Sequence, residues 1–379
     1  MNDVVKRINQ LGQSLWYDNI ERKLLDDGTL AEMVKLGEIK GITSNPSIFN
    51  KAISQSNDYD QDIKAHLHED LSREEIYEML AIKDIQRASD LFRDLYQETE
   101  GEDGYVSLEV SPFIAHETEK TISEAKRLWK TVDRPNLMVK IPATIEGLPA
   151  ITEVISEGIN VNVTLIFGLG RYQEVRDAYM AGLEKRLQSG GDISRIASVA
   201  SFFISRIDSK VDQRLENLRL TSPSELQDRI QSLLGKSAIA SGKLAYADYE
   251  KTFAKEPRFQ LLSAEGANKQ RALWASTSTK NINYPDTIYV EELIGPGTVN
   301  TVPPQTLQAF FDHGKVGRTI DLDVIGSGKV FEDLAALGID IDEVTAELES
   351  EGVKSFANAF TSLLDSLENK IQKFKSETK

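Results

Sequence analysis

Short apolar segments alternate along the chain with longer segments of helical periodicity, and this alternation constrains the possible fold more than any other feature. Eight of the apolar segments predict strands, at residues 14–20, 39–45, 105–111, 137–143, 159–168, 195–203, 271–277 and 286–293. Strands separated by helices pair in parallel through βα units, and eight such strands can close a barrel. The sequence therefore predicts an α/β fold, a (β/α)8 TIM barrel.

A doubly wound open sheet is the alternative architecture. That fold often binds nucleotides through a G-x-G-x-x-G loop that follows a strand, and no predicted strand of this chain is followed by one. The FGLGRY segment after the fifth predicted strand contains only a G-x-G. The barrel is therefore favoured over the open sheet.

Helical segments beyond those of a minimal barrel lie in residues 46–104 and 207–268 and in the tail. We predict one barrel domain over residues 1–379, with 330–379 as a C-terminal helical extension packed on it. One face of the tail is apolar and comprises Val353, Phe356, Phe360, Leu363, Leu364, Leu367, Ile371 and Phe374. This stripe predicts packing on the barrel exterior; binding to a partner, including a second copy in a homodimer, is the alternative.

Composition excludes several classes of function. The 44 Lys and Arg residues stand against 60 Asp and Glu, a net charge of −16 that argues against a nucleic-acid partner. The chain has no cysteine, which excludes disulfides and thiolate sites, and its four histidines show no metal-ligand spacing. No apolar run reaches the roughly 20 residues that span a bilayer, and the N-terminus lacks a signal-peptide core. We therefore expect a cytoplasmic location, no membrane partner and no metal or cofactor.

A lysine interrupts the apolar segment LMVKIPA at residues 137–143. Strand side chains alternate between faces, so Leu137, Val139 and Ile141 share one face, while Met138 and Lys140 share the other. In a barrel the outward face meets helices and should be apolar. Lys140 is therefore predicted to point into the barrel.

The same alternation places other polar side chains on inward faces, near the carboxyl ends of their strands. With Lys140 they are Asp18, Asn45, Glu109, Asn162, Thr164 and Ser201. TIM-barrel enzymes build their active sites at this end. Each residue also has a structural interpretation: Asn45 before Pro46 fits a helix N-cap, Thr164 and Ser201 could satisfy backbone groups, and either carboxylate could simply neutralise Lys140.

The combination of these residues favours a chemical role. An amine among apolar neighbours is partly unprotonated near neutral pH and can attack a ketone or aldehyde to form a Schiff base. Loss of water then needs a general acid near the same carbon, and carbon–carbon cleavage needs a base at a neighbouring hydroxyl. Glu109 and Asp18 could divide these tasks, while Asn45, Asn162 and Ser201 hold the hydroxyls of a sugar chain.

The sequence resembles the transaldolase family across roughly residues 14 to 310. The matching segments are WYDNI, GITSNPSIF, VSLEVSP, LMVKIPAT, INVNVTLIF and SFFISRID, in family order. The resemblance implies a metal-free (β/α)8 barrel of the class I aldolase type, with its first helix displaced by a circular rearrangement. The tail after residue 310 resembles a longer-chain subgroup and carries no implied chemistry.

The resemblance also implies roles for individual residues. Lys140 matches the Schiff-base lysine, and Asp18 matches the carboxylate that takes and returns the proton of the donor's C4 hydroxyl. Glu109 and Thr164 match the pair that holds a proton-relaying water. The residues that match substrate-binding positions are Asn45, Asn162, Ser201 and, for the phosphate, Arg206.

One segment departs from the commonest family pattern. Many members carry Ser-Phe-Arg-Asn after the seventh strand, with a second phosphate-binding arginine, whereas this chain reads ASTSTKN. Lys280 is the nearest equivalent, and a lysine supplies the charge without the bidentate fork of arginine. A solvated loop lysine is the alternative interpretation.

The implied activity is transfer of a dihydroxyacetone unit between sugar phosphates in the non-oxidative pentose phosphate pathway. The implied donors are sedoheptulose 7-phosphate and fructose 6-phosphate, and the acceptors are glyceraldehyde 3-phosphate and erythrose 4-phosphate. The nearest rival is a fructose 6-phosphate aldolase, which releases dihydroxyacetone. Relatives of that type place Gln and Tyr where this chain has Glu109 and Phe203, which favours the transferase. A silent sugar-phosphate-binding barrel or a scaffold role are the non-enzymatic alternatives.

Overall fold

A computed structural model describes residues 3–377 of the chain and contains a closed barrel of eight parallel strands in the order β1 to β8. The strands are β1 (Gln13–Tyr17), β2 (Gly41–Ile42), β3 (Tyr105–Glu109), β4 (Leu137–Pro142), β5 (Val161–Ile166), β6 (Ser198–Phe203), β7 (Arg271–Ala275) and β8 (Thr298–Val302). Pairing of β1 with β8 closes the ring. The predicted (β/α)8 TIM barrel is confirmed, and the open sheet is excluded.

Helices surround the barrel and fill the long connections. They are α1 (Asp3–Gln10), α2 (Arg22–Asp26), α3 (Thr29–Lys35), α4 (Pro46–Gln55), α5 (Asp60–Ala65), α6 (Arg73–Leu91), α7 (Arg93–Glu98), α8 (Thr118–Val132), α9 (Gly147–Ser156), α10 (Leu169–Gln188), α11 (Ser205–Thr221), α12 (Ser224–Leu233), α13 (Ser237–Lys255), α14 (Pro257–Ala264), α15 (Ile288–Glu291), α16 (Pro304–His313), α17 (Val324–Ala336) and α18 (Ile341–Glu377). A 3₁₀ helix, Pro112–Ile114, follows β3. No helix within residues 3–377 is long and apolar enough to cross a membrane.

The strand register brings the inward polar residues side by side. Lys140 on β4 lies opposite Glu109 on β3 and opposite Asn162 on β5. The other face of β4 is apolar, and Leu137, Val139 and Ile141 are fully buried. The alternation of side chains along the strand therefore predicted correctly which residues of β4 face the barrel interior and which face the helices.

The predicted eighth strand at residues 286–293 is wrong. Residues Ile288–Glu291 form the single-turn helix α15, which buries Tyr289 and Val290. The β-branched and aromatic residues of this segment pack in the core and do not pair with a neighbouring strand. The Tyr289 hydroxyl donates a hydrogen bond to Asp208 Oδ2 at 2.8 Å. The eighth strand follows Gly297, whose φ of 71° lets the chain turn into β8.

The tail forms two helices, and α18 is by far the longer. At 37 residues and 1.5 Å per residue, α18 is about 55 Å long. It contacts α4, α6 and α11 as well as β5 and the 3₁₀ helix after β3. Most of its apolar stripe is buried from Phe360 to Phe374, while Val353 and Phe356 are partly buried. The helix therefore packs on outer helices and also reaches the carboxyl-terminal end of the strands.

Candidate active site

A cavity of about 250 Å³ opens at the carboxyl-terminal end of the barrel. The predicted site residues on its walls are Asp18, Asn45, Lys140, Thr164, Ser201, Arg206 and Lys280. They come from six of the eight strands or from the segments that follow them, which only a closed barrel brings together. Of the two remaining predicted residues, Glu109 lies beside Lys140, and Asn162 is buried behind the wall.

Lys140 is only 5% exposed, and two oxygen atoms compensate its ammonium group. Its Nζ donates a hydrogen bond to the carbonyl oxygen of Ser44 at 2.9 Å and lies 2.8 Å from Glu109 Oε1. The Ser44 hydroxyl in turn donates to the carbonyl oxygen of Ser107 at 2.8 Å, which fixes the loop after β2. A buried lysine without such partners would be strongly destabilising.

Glu109 and Thr164 flank Lys140 on the neighbouring strands β3 and β5. Burial raises the pKa of the Glu109 carboxyl, against the opposing effect of Lys140, and Asp18 raises it further. Thr164 Oγ1 is buried and has no hydrogen-bond partner among residues 3–377. A second cavity, of about 20 Å³, borders Glu109, Lys140 and Thr164. A single water needs roughly 10–15 Å³ on this measure, so the space fits one molecule.

Asp18 follows β1 and faces the cavity from the side of β8. Its Oδ1 accepts a hydrogen bond from Thr43 Oγ1 at 2.7 Å, and the Thr43 hydroxyl also contacts that of Thr301. Burial raises the pKa of the Asp18 carboxyl, whereas Lys140, the Thr43 hydrogen bond and Lys280 lower it. Burial and the neighbouring positive charges therefore shift the pKa of the Asp18 carboxyl in opposite directions, an arrangement suited to moving a proton.

Asn162 and Ser201 form a buried hydrogen-bonded pair. The Ser201 hydroxyl donates to Asn162 Oδ1 at 2.7 Å, and Asn162 Nδ2 donates to Ser107 Oγ at 3.0 Å. Ser201 lines the large cavity, whereas Asn162 is 0% exposed and does not. The structure therefore places Asn162 where it orients Ser201 from beneath the cavity floor.

Asn45 has the structural role expected of a residue before proline and also lines the cavity. Its Oδ1 accepts a hydrogen bond from the Ile48 amide at 3.0 Å, which caps α4. The carboxamide nitrogen makes no hydrogen bond to the part of the chain that the structure describes. The side chain can therefore cap the helix with its oxygen and donate to a bound hydroxyl with its nitrogen.

Two cationic side chains lie at the outer rim of the cavity. Burial lowers the pKa of Arg206, which lies over the Phe203 ring, while Glu351 of α18 opposes that change. Partial burial lowers the pKa of Lys280 and the positive charge of Arg206 lowers it further, although Lys280 is exposed overall. Mutual repulsion of two cations is relieved by an anion between them, so this rim can hold a phosphate.

Two residues beside the site adopt the left-handed backbone conformation that favours glycine. Leu165 follows Thr164 with a φ of 62°, at an irregularity in the register between β5 and β6. Ser276 follows β7 with a φ of 55° and lines the cavity. Such residues cost about 1–3 kcal/mol each and persist where neighbouring contacts enforce them. The bulge redirects β5 immediately after Thr164.

Sequence reasoning missed several residues of the cavity wall. Thr301 was missed because β8 was misplaced, and Ser276 and Ser278 lie in the loop after β7. Ser355 and Phe356 come from α18, where periodicity identified Phe356 only as part of an apolar stripe. Within residues 3–377, no group of three or more His, Cys, Asp or Glu side chains is arranged to hold a metal ion.

The arrangement combines an amine with two carboxyl groups and an anion site around one cavity. The amine lies deep inside, one carboxyl touches it, the other faces it across the cavity, and the cations lie at the rim. Such a set can attack a carbonyl carbon, move protons at two separate positions and hold a phosphorylated chain.

Comparison with known proteins identifies the relatives of this chain. Residues 15–367 match the family model described as Transaldolase/Fructose-6-phosphate aldolase. The chain is 48% identical over 375 residues to a transaldolase of Saccharopolyspora erythraea, with 99% of each chain covered. It is 49% identical to a transaldolase of Trichodesmium erythraeum, with 97% of each covered. A Nostoc punctiforme protein named Transaldolase 2 is 49% identical, with 96% of this chain and 97% of that protein covered.

Proposed function

The chain belongs to the transaldolase/fructose-6-phosphate aldolase family as a transaldolase enzyme, and we propose that it transfers a dihydroxyacetone unit through a Schiff base on Lys140. The proposed donor is a ketose phosphate, sedoheptulose 7-phosphate or fructose 6-phosphate. The acceptor is glyceraldehyde 3-phosphate or erythrose 4-phosphate, within the non-oxidative pentose phosphate pathway of the cytoplasm.

One observation carries the proposal: a buried lysine amine contacts a carboxyl group at the inner end of a cavity with a cationic rim. Lys140 Nζ lies 2.8 Å from Glu109 Oε1, while Arg206 and Lys280 lie on the rim. A lysine that served only as a structural ion pair would not need to border a cavity lined by hydroxyl and amide groups.

The first half of the reaction forms the imine and breaks a carbon–carbon bond. The amine of Lys140 adds to the donor's ketone carbon, and the resulting carbinolamine loses water to give an iminium ion. Burial raises the pKa of Glu109, and this carboxyl is placed to pass a proton toward the departing hydroxyl through a water beside Thr164. Asp18 then takes the proton of the C4 hydroxyl as the C3–C4 bond breaks.

The second half of the reaction returns the three-carbon unit to an aldehyde. The cleaved aldose phosphate leaves, and the enamine on Lys140 attacks the carbonyl carbon of the acceptor. Asp18 returns its proton to the new hydroxyl, and water then hydrolyses the iminium ion. Arg206 and Lys280 hold the phosphate of either sugar. Asn45 Nδ2 donates a hydrogen bond to a hydroxyl near the reacting carbons, and Ser201 Oγ, whose own proton is donated to Asn162, accepts one.

The rival activity within the same family is release of free dihydroxyacetone. The matched family model carries both activities in its description. Glu109 and Phe203, rather than the Gln and Tyr of the aldolase type, support transfer in this chain. Phe203 lies on the cavity wall, and its ring packs at a tilt against Phe167 with ring centroids 5.2 Å apart.

The proposal is tested by incubating the purified chain with fructose 6-phosphate and erythrose 4-phosphate and separating all products. We expect sedoheptulose 7-phosphate and glyceraldehyde 3-phosphate in equal amounts, with little free dihydroxyacetone. Free dihydroxyacetone as the main product would assign the aldolase activity instead. The absence of any product from the folded chain would support the silent binding barrel.

A further inference from the structure

Two side chains of α18 form part of the wall around the reacting amine. Val353 and Phe356 both border the small cavity beside Glu109, Lys140 and Thr164, and Phe356 also borders the large cavity. They lie three residues apart and so occupy the same face of the helix. The long C-terminal helix therefore contributes directly to the surroundings of the reactive nitrogen.

The face of α18 at this point sits close to the β5 bulge because it carries a glycine. A Cβ atom at Gly352 would lie 3.1 Å from Leu165 and 3.4 Å from Phe167. Leu165 is the residue with the left-handed backbone, directly after Thr164. The glycine and the bulge together bring the helix against the strand that carries Thr164.

Ion pairs hold α18 in place ahead of the cavity residues. Glu349 pairs with Arg171 of α10 at 3.0 Å, and Glu347 pairs with Arg214 of α11 at 2.6 Å. Glu351 pairs with Lys210 at 2.6 Å. These contacts tie the helix to two outer helices on either side of β6.

Aromatic contacts and further ion pairs hold the helix beyond the cavity. The Phe360 ring packs edge-on against Tyr77 and Phe113, with centroids 5.2 and 5.4 Å apart. Asp365 pairs with Arg73 at 2.7 Å, and Lys370 pairs with Asp60 at 2.8 Å. Restraint on both sides of residues 353–356 keeps their side chains in one position over the site.

The chemistry of the site makes access of water at this wall important. After donor cleavage the three carbons remain on Lys140 as an enamine, which a proton at carbon converts to an iminium ion. Water adds its oxygen to the iminium carbon, and the C–N bond then breaks to release free dihydroxyacetone. Both hydrogens of that water end on the nitrogen, which leaves as the ammonium of Lys140. Transfer succeeds only if the acceptor aldehyde arrives before this hydrolysis.

We propose that Val353 and Phe356 restrict water on the side of Lys140 that faces Glu109 and Thr164 to about one molecule and thereby favour transfer over hydrolysis of the three-carbon unit. The inference rests on the proposed function and adds to it a specificity role for the C-terminal helix. The space of about 20 Å³ admits the single water that imine formation needs. Val353 and Phe356 are apolar, so this part of the wall offers no hydrogen bond to a further water molecule.

The test measures how the intermediate divides between its two fates. Full-length wild type, Phe356→Ala and Val353→Ala are each incubated with fructose 6-phosphate and erythrose 4-phosphate. The rate of dihydroxyacetone release is divided by the rate of sedoheptulose 7-phosphate formation. We expect Phe356→Ala to raise this ratio about tenfold, a change of about 1.4 kcal/mol between the two barriers. Val353→Ala removes fewer atoms and should raise it less.

Leu367→Ala is the matched control on the same helix. Leu367 is fully buried and packs away from the site, in a cluster with Ala52 of α4 and Ile76 and Leu80 of α6. Its truncation removes apolar contacts of α18 without altering the wall around Lys140. The release-to-transfer ratio of this variant should equal that of the wild type, even where its stability is lower.

The outcomes separate the inference from the proposed function. An unchanged ratio in both wall variants, or an equal rise in Leu367→Ala, would overturn the inference while transfer by the wild type upheld the function. A wild type that forms neither product would overturn both. If Phe356→Ala does not fold, Phe356→Leu replaces it: a rise in the ratio supports the inference, and a wild-type ratio in both this variant and Val353→Ala overturns it.

Discussion

At the scale of single residues, the burial of Lys140 is offset by one carboxyl oxygen and one backbone carbonyl. Glu109 supplies a charge that can accept or release a proton, whereas the Ser44 carbonyl only accepts a hydrogen bond. Both contacts replace water around the buried amine, and only one of them comes from a group that can carry a negative charge.

The hydroxyl of Thr43 tunes the proposed base of the reaction. Its hydrogen bond lowers the pKa of Asp18 against the rise that burial causes. Asp18 must be ionised to take the C4 hydroxyl proton, so activity falls as pH decreases through that pKa. Thr43→Val removes the hydrogen bond, raises the pKa of Asp18 and should move the acid limb of the kcat/KM profile upward by about one pH unit.

The control for this prediction is Thr131→Val. Thr131 lies exposed on α8 and donates a hydrogen bond to the Arg127 carbonyl, far from the cavity. Its pH profile should match that of the wild type. An acid limb that stays in place in Thr43→Val would show that another group, such as Glu109, controls activity at low pH.

At the scale of elements, β5 and α18 fit together through a glycine on one side and a bulge on the other. Gly352→Leu introduces a better helix former at this position but places a side chain against Leu165 and Phe167. We expect a loss of about 1–3 kcal/mol in the free energy of unfolding, because the contact is already close. Chemical denaturation measures the loss.

Gly328→Leu in α17 is the matched control for this substitution. A Cβ atom at Gly328 would have no neighbour within 4 Å. Replacing a glycine inside a helix then gains about 0.5–1 kcal/mol of helix propensity. If Gly352→Leu were as stable as Gly328→Leu, the close packing of α18 on β5 would be refuted.

Sequence periodicity predicted seven of the eight strands and the inward direction of Lys140, because alternation of two along a strand depends only on local order. It misplaced the eighth, since TVNTV at residues 298–302 is short and half polar, whereas IYVEEL is rich in strand-forming residues. Alternation also gives a side chain's face but not its depth, which is why Asn162 was expected at the cavity and lies beneath it.

The position of α18 could not be read from the sequence. Its apolar stripe predicted a packing face, and in the structure these residues lie in or against the hydrophobic clusters. A stripe does not say which partner surface it meets, because any apolar surface satisfies it. Contacts between the tail and the 3₁₀ helix after β3 depend on the closed barrel, which brings segments more than 200 residues apart to the same end.

At the scale of the whole molecule, a buried carboxyl group links the outer helices around β6 to β8. Asp208 on α11 accepts hydrogen bonds from the Ala238 amide of α13 at 2.7 Å and from Tyr289 of α15. Burial raises its pKa from 3.8 to about 7, and nearby Asp212 raises it as well. Below about pH 7 the protonated form therefore predominates in the folded chain.

This raised pKa predicts how stability depends on pH. Between about pH 4 and 7 the folded chain holds a proton on Asp208 that the unfolded chain has lost, so the free energy of unfolding falls as pH rises. A shift from 3.8 to about 7 corresponds to about 4 kcal/mol. Asp208→Asn removes the ionisable group, so the free energy of unfolding of this variant, relative to that of the wild type, should increase as pH rises from about 4 to 7.

Denaturation of both proteins at a series of pH values between 4.5 and 8 checks the prediction. Asp70→Asn, at an exposed position, is the control and should follow the wild type at every pH. A stability difference between Asp208→Asn and wild type that stays constant with pH would show that Asp208 is ionised in the folded chain throughout.

The net charge of −16 contrasts with the charges at the barrel mouth. Arg206, Lys280 and Lys140 line one cavity, where they face the carboxyl group of Asp18. Salt screens distant surface carboxylates over about 8–10 Å at physiological ionic strength, so these local cations dominate what the cavity attracts. An acidic enzyme can therefore bind phosphorylated sugars at this end of the barrel.

Trapping the imine tests the central claim most directly. The full-length chain is incubated with fructose 6-phosphate and borohydride, digested, and searched by mass spectrometry for a reduced three-carbon addition. We expect the addition on the peptide that carries Lys140, and none in Lys140→Arg under the same conditions. A folded wild type that gains no addition, or gains it on a different lysine, would contradict Schiff-base chemistry at this site.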